Sequence, residues 1–389
     1  MLTGEKVLIT GATGFLGGRL AERLSLSKPQ TKVRGLVHNS YAASRLARLP
    51  VEMVTGDITS FKEMRDAVRG CNVVIHCAYG GSSETVAGTE CVIRAALQNG
   101  VKKFIHISSV AVYGYSPSAE NIRNEKCDYK YTNDDYCDSK INSEKIAFHY
   151  CESENLPLVV LRPANIFGPY SKPWTLGPIS MLARKCCVLV NGGFSPSNVV
   201  YVDNVVDAIK LAIEQEGAIG QALNISSDEV ISWRALFTRY ASMFDCPPPV
   251  LNLSLEEVGS ERAKYFGELL KRMLFHPRQI PAILPSISSE NKLAKALVSA
   301  AAKPKLKSKI VALNSCLPGK TKIDFTMSTN SKNVPAIDRV PNRNLLKIFT
   351  LPFQFPIRSV TRVLGYKPKF SFDDGMKLTE KWLKYQRLV

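Results

Sequence analysis

The stretch Thr10-Gly11-Ala12-Thr13-Gly14-Phe15-Leu16-Gly17 stands between the first apolar strand, Val7–Thr10, and the first helix, Leu16–Leu26. Gly11 and Gly14 let the backbone turn tightly and come close to a pyrophosphate, and Gly17 lets the helix lie against the strand. The helix N-terminus then offers unpaired N–H groups and the positive end of its dipole to an anion. A Gly-rich turn is often only a turn. Placed at the head of a βαβ unit, it predicts a dinucleotide site.

The pattern that follows fits that start. Apolar runs at Val33–Val37, Val51–Thr55, Val73–Cys77, Phe104–Ser108 and Leu158–Leu161 alternate with helical stretches at 62–69, 85–99 and 136–152. Short buried strands separated by helices imply a parallel sheet covered on both faces. The expected fold is α/β, a doubly wound parallel (Rossmann) sheet, with a smaller C-terminal α/β substrate domain. The predicted boundaries are 1–168 for the NAD(P)-binding domain, with 199–225 returning to it. Residues 169–198 and 226–389 form the substrate domain, including a basic insertion at 250–350.

Tyr136 and Lys140 lie four apart on a helix and share one face. A phenol titrates near 10, and a neighbouring ammonium favours its ionised form. This pair therefore predicts a proton-transfer site with a lowered tyrosine pKa. Ser108 and Ser109 follow the strand before it, at the sheet edge where ligands bind. A serine there can donate to a substrate oxygen while Tyr136 moves the proton. Taken alone, a Tyr and a Lys four apart are ordinary helix surface. Asp57 follows the third strand, placed either to border an adenine ring or to cap the next helix. The end of the second strand, Val37-His38-Asn39-Ser40, lacks the carboxylate that would hold an NAD ribose. Arg34 and Arg45 are nearby in sequence, so the cofactor reading leans towards NADP over NAD.

TGATGFLG, GDI, HCAY, SSVAVYG, YCDSK and RPANIFGP occur in this order. The set resembles the extended short-chain dehydrogenase/reductases, the NAD-dependent epimerase/dehydratase family, over residues 1–245 and again at 362–389. The resemblance implies Tyr136 as general acid/base, Lys140 as the group that lowers its pKa and binds the nicotinamide ribose, and Ser109 as the group that polarises the substrate C–O bond. It also implies that Gly11, Thr13, Gly14, Phe15 and Leu16 wrap the pyrophosphate. His38 marks the ribose end, Asp57 and Ile58 border the adenine, and Cys77, Ala78 and Tyr79 line the inner side of the cofactor. Pro163 and Ala164 flank the nicotinamide, and Asn165 sits where many members touch substrate.

The chain departs from the family pattern at three places. The second-strand carboxylate is missing. The segment 79–86 is short, with Thr85 where the pattern usually has Asn. Ser195-Pro196-Ser197-Asn198 stands where nucleotide-sugar members often carry an arginine. The implied activity is an NAD(P)-dependent oxidoreductase of the epimerase/dehydratase type, moving a hydride at a secondary alcohol or ketone. The expected substrate is a nucleotide sugar for polysaccharide or glycoconjugate synthesis. Two alternatives stay open: a 3β-hydroxysteroid-dehydrogenase-like enzyme on a lipid or isoprenoid at a membrane surface, and a non-catalytic NADP-binding scaffold. A homodimer through the helix bearing Tyr136 is common in such families.

Charge divides the chain. Residues 1–249 carry 26 basic and 24 acidic side chains, whereas 250–389 carry 25 and 10. A nearly neutral body argues against nucleic acid as partner. The basic stretch contains Lys303, Lys305, Lys307 and Lys309, and is followed by the apolar run Asn344–Phe353. This suits peripheral contact with an anionic membrane through 290–350. The ten cysteines have neither zinc spacing nor a disulfide pattern, and the first strand leaves no room for a signal peptide. A cytoplasmic location is expected, with peripheral attachment to the membrane as its variant.

Overall fold

The computed structural model describes residues 5–27, 31–114, 125, 128–185, 187–245, 250–260 and 343–389. Strands β1 (Lys6–Thr10), β2 (Lys32–Val37), β3 (Val51–Thr55), β4 (Val73–His76), β5 (Lys103–Ile107), β6 (Leu158–Pro163) and β10 (Gln221–Ile225) form one sheet. The order is β10-β6-β5-β4-β1-β2-β3, and every pair is parallel. The chain winds outward from β1 in both directions, so the switch point lies between β1 and β4. The doubly wound fold is as expected.

Helices α1 (Phe15–Ser25), α2 (Phe61–Val68), α3 (Ser82–Gln98) and α4 (Asp135–Glu154) follow β1, β3, β4 and β5. Leu8, Val74, Phe104, Leu158 and Val160 carry one sheet face into a core shared with α2, α3 and α4. Each such side chain, fully buried, is worth about 1.5–3 kcal/mol. Asp134 starts α4 by accepting from the N–H groups of Tyr136 and Cys137 at 3.1 and 3.0 Å. Asn155 ends it in the left-handed conformation. On the other face α1 meets α6 (Val202–Glu214), where Arg19 forks onto buried Asp203 at 2.6 and 2.7 Å.

Two strands take places that the sequence pattern did not give them. Residues Val199–Tyr201 (β9) pair with Asn165–Phe167 (β7) in a separate small sheet, so of the 199–225 stretch only β10 rejoins the main one. Val188–Val190 (β8) pairs in parallel with Leu251–Leu253 (β11). The described residues fall into two compact units. One takes those of Met1–Ser180, Phe194–Pro247 and Leu351–Val389, and the other those of Met181–Gly193 and Pro248–Thr350. The C-terminal helices α9 (Arg358–Leu364) and α10 (Phe372–Tyr385) thus belong with the sheet. The remaining helices are α5 (Gly177–Ala183), α7 (Trp233–Ala241) and α8 (Arg343–Phe349).

Most of the basic insertion, including Lys303–Lys309, lies outside the described residues. The apolar run after it is spent on packing. Leu351 and Phe355 are buried and Phe353 is half-buried, and Phe355 stacks on Tyr113 at 5.9 Å. Among the described residues no helix is long and apolar enough to cross a membrane.

Behind α4 lies a buried ion pair. Arg162 on β6 donates to both oxygens of Glu144 at 2.7–3.2 Å, and to the Tyr113 hydroxyl at 3.1 Å. Tyr129 donates to Glu144 as well. A buried pair is weak evidence of net stabilisation, but removing one partner leaves the other charge stranded. Glu144→Gln should cost about 3–5 kcal/mol in urea unfolding at pH 7. A loss below about 1 kcal/mol, the range of an exposed pair, would contradict this reading.

His76 and His106 are also buried, side by side on β4 and β5 with ring centroids 5.6 Å apart. Burial holds the His76 imidazole down to about 3, and His106 shifts the same way, by burial first and then by the charges of His76 and Lys140. Above pH 6.5 both are neutral whether the chain is folded or not. As pH falls below 6.5 the unfolded chain takes up protons that the folded one excludes. Stability is then lost towards pH 3, at up to about 1.4 kcal/mol per pH unit for each ring. Neither His106 nitrogen has a hydrogen-bonding partner in the protein. His106→Phe should therefore be at least as stable as wild type at pH 7. Its loss between pH 7 and 5 in urea melts should be about 2 kcal/mol smaller. Equal losses would show that His106 does not resist protonation.

Candidate active site

The turn after β1 packs against the chain leaving β4. Gly11 has φ +68, and a Cβ there would lie 2.8 Å from the Ala78 nitrogen and 2.9 Å from the Cys77 carbonyl carbon. Both left-handed backbone and close approach require glycine at this point. A Cβ on Gly17 would run into the Gly11 carbonyl oxygen. Thr13 and Gly14 lead into α1, whose first turn holds Phe15 and Leu16 and no acidic side chain. The positive end of α1 is thus uncompensated beside a cradle that side chains would fill. These residues fit the pyrophosphate of a dinucleotide.

At the far end of the cradle His38 is exposed just beyond β2. One Asp57 oxygen accepts from the backbone N–H and hydroxyl of Thr59, both at 2.8 Å, and these bonds hold its carboxyl below the usual range. Asp57 is not the cap of α2, since Ser60 stands there. Ile58 lies over Gly88 of α3, where a Cβ would approach its side chain to 2.5 Å. The two arginines that favoured a 2′-phosphate are committed elsewhere. Arg34 donates to the Ala67 and Arg69 carbonyls and to Glu52. Arg45 pairs with Glu22 at 2.8 Å and covers the Tyr170 ring.

The residues expected to move the proton lie at the carboxyl edge of β4 and β5. Ser109 caps the short helical turn Val110–Tyr113, accepting from the Ala111 N–H at 3.2 Å. Its hydroxyl acts on the Tyr136 phenol, opposing the effect of burial there. Ser108 is buried, and its hydroxyl has no protein partner, so Ser109 is the serine that reaches Tyr136. Lys140 is buried, and its Nζ donates to the Ile107 carbonyl at 2.8 Å. It lies 6.0 Å from the Tyr136 ring centroid and 5.9 Å from that of Tyr79.

The expected low phenol pKa is not what this geometry gives. Burial pushes Tyr136 up to about 12, against the smaller opposing effect of the Ser109 hydrogen bond. Burial likewise pushes Lys140 down to about 8, with Cys77 and Glu144 acting the other way. The ammonium is turned to a backbone carbonyl rather than to the phenol. Desolvation therefore outweighs charge, and Tyr136 is protonated at neutral pH.

Cys77, Ala78 and Tyr79 leave β4 directly beneath the cradle. The Ala78 N–H donates to the Thr10 hydroxyl at 3.3 Å, and burial pushes the Cys77 thiol up to about 12. Pro163 ends β6, and the Ala164 N–H donates to the Ile225 carbonyl at 2.9 Å. Asn165 donates its amide to the Ser197 carbonyl at 2.7 Å, so that donor is already used. Motif reading passed over Thr10, Ser139 and Glu144. Of these only Glu144 carries a sequence signal, one turn beyond Lys140 on the same helix face. Among the described residues no cluster of His, Cys, Asp and Glu could hold a metal ion.

Comparison with known proteins agrees with this architecture. The model of the NAD dependent epimerase/dehydratase family matches residues 7–226. The dTDP-D-glucose 4,6-dehydratase of Mus musculus is 29% identical over 248 residues, 58% of this chain and 68% of that protein. The UDP-glucose 4-epimerase of Vibrio cholerae is 27% identical over 273 residues, 64% of this chain and 80% of that one. The crystal structure of DesIV, a dTDP-glucose 4,6-dehydratase from Streptomyces venezuelae with NAD and TYD bound, has the same fold, with a TM-score of 0.64 at 17% identity over 98% of both chains. With its sheet order, its glycine cradle and a family match over more than half its length, the chain belongs to the NAD-dependent epimerase/dehydratase family, the extended short-chain dehydrogenase/reductases.

Proposed function

We propose that the protein is an NAD(P)-dependent epimerase/dehydratase-type oxidoreductase acting on a nucleotide sugar in polysaccharide or glycoconjugate synthesis. The observation that carries this is the meeting of Ser109, Tyr136 and Lys140 beside the Gly11 cradle. The named relatives that act on dTDP- and UDP-glucose supply the substrate class. Bound at the cradle, the nicotinamide cofactor supplies a hydride acceptor and donor. The protein's own groups handle the proton. Ser109 holds a substrate oxygen, and the protonated Tyr136 gives its proton to that oxygen as it gains charge. In the reverse direction the phenol must ionise and take up the substrate proton. Lys140 holds the ribose hydroxyls, and Asp57, Ile58 and His38 border the adenosine end.

Tyr136→Phe should cut product formation from UDP-glucose or dTDP-glucose, followed by NMR, at least ~100-fold. NADH binding by fluorescence should stay within twofold. Undiminished turnover would remove Tyr136 from the chemistry.

The NADP preference now rests on the absent carboxylate at His38 alone, since Arg34 and Arg45 are engaged. NADPH should bind at least as tightly as NADH in calorimetry. A tenfold preference for NADH would overturn it.

A lipid or isoprenoid substrate is the second reading, and one observation favours it. Asn198 lies in the stretch where nucleotide-sugar members often carry an arginine. Both ends of its amide are spent, donating to the Phe353 carbonyl and accepting from the Phe355 N–H. No cation is offered at this position to a diphosphate.

A further inference from the structure

Tyr79 and the chain that carries it form a unit that the proton-transfer trio does not account for. The connection from β4 to α3 is only five residues, Cys77–Gly81. It is held from both ends by one run of hydrogen bonds through His76. Thr89 donates to the Thr85 carbonyl at 2.7 Å, so its oxygen accepts from His76 Nε2–H at 3.1 Å. The network thereby assigns the tautomer, and Nδ1 accepts from the Thr10 hydroxyl at 2.7 Å. Thr10 in turn accepts from the Ala78 N–H, and Thr85 accepts from the Gly80 N–H at 3.2 Å. The residues on either side of Tyr79 are therefore pinned to a buried neutral imidazole and to the first turn of α3. Thr85, where the family pattern usually has Asn, closes the circuit.

Tyr79 itself is 46% exposed and meets Tyr136 edge-on, with ring centroids 5.2 Å apart and planes at 66°. Ser139, on the same helix as Tyr136, donates its hydroxyl to the Tyr136 carbonyl at 2.9 Å. Tyr136 is 40% exposed, and the edge-on Tyr79 ring packs against it.

We propose that Tyr79 is a positioning residue for Tyr136: pinned through the His76 circuit, its ring holds the phenol against Ser109 in the geometry that delivers the proton. This rests on Tyr136 being the proton-transfer group and goes beyond a wall for the cofactor. Edge-to-face aromatic contacts are specific in geometry, so the ring matters more than its hydroxyl.

The test combines turnover with a signal that needs no substrate. Tyr136 is replaced by meta-fluorotyrosine, and its fluorine resonance is recorded in the full-length protein, in Tyr79→Leu and in Tyr79→Phe. A single narrow line is expected with Tyr or Phe at position 79, and a broadened or split line with Leu. With UDP-glucose or dTDP-glucose as probe, Tyr79→Leu should lower kcat at least tenfold with NADH affinity within threefold, and Tyr79→Phe should restore most of it. An unchanged fluorine line in Tyr79→Leu would overturn the proposal. So would a loss confined to NADH affinity with kcat intact, which would make Tyr79 a cofactor wall only. If wild type turns over neither sugar nucleotide, the substrate reading fails, while the fluorine line still decides for or against Tyr79.

Discussion

The ammonium of Lys140, buried and bonded to the Ile107 carbonyl at 2.8 Å, joins α4 to the end of β5. The rest of the site depends on that joint. One turn earlier on the helix it sets Tyr136 over Ser109, and one turn later it sets Glu144 beside Arg162. A lysine in such a place is costly, and its pKa falls to about 8 accordingly. The cost is offset by a backbone acceptor and by carboxylate and thiol groups nearby. Structure and chemistry share the same contact. The group that fixes the helix also lies beneath both exposed phenols.

The second constraint is the meeting of two backbones at the switch point of the sheet. Gly11 touches Cys77 and Ala78 so closely that it cannot carry a side chain. Thr10 extends the contact downward through His76 to Thr89. At the carboxyl ends of β4 and β5, beyond the apolar core these strands share with α3 and α4, buried polar groups take over. These are neutral imidazoles and hydroxyls, and they transmit the position of the cradle to the connection bearing Tyr79.

Much of this was legible in the residues. Strand and helix alternation reproduces the parallel sheet because buried parallel strands read as short apolar runs. The glycine triplet and the Tyr136–Lys140 spacing locate the site because each needs a fixed backbone geometry. Other features were not legible. Whether Arg34 is free depends on the α2 carbonyls it reaches across the sheet, which no local pattern records. The phenol pKa depends on burial as well as on charge, and spacing does not measure burial. Strand β9 reads like any apolar strand, and only its partner, β7, reveals that it lies outside the main sheet. The partners of Phe353 and Phe355, Asn198 and Tyr113, lie far away in sequence, so no local pattern records that packing.

The charge imbalance lies in residues 250–389, most of it in 250–350, while the body, residues 1–249, which holds the site, is nearly neutral. The central claim is that this body is built around a nicotinamide dinucleotide beside an active proton-transfer trio. Native mass spectrometry of the purified full-length protein tests it most directly. The account predicts one NAD or NADP per chain, carried through purification or taken up on addition, and lost when Gly11→Val fills the cradle. A wild-type chain that stays free of either dinucleotide at millimolar concentration would contradict it.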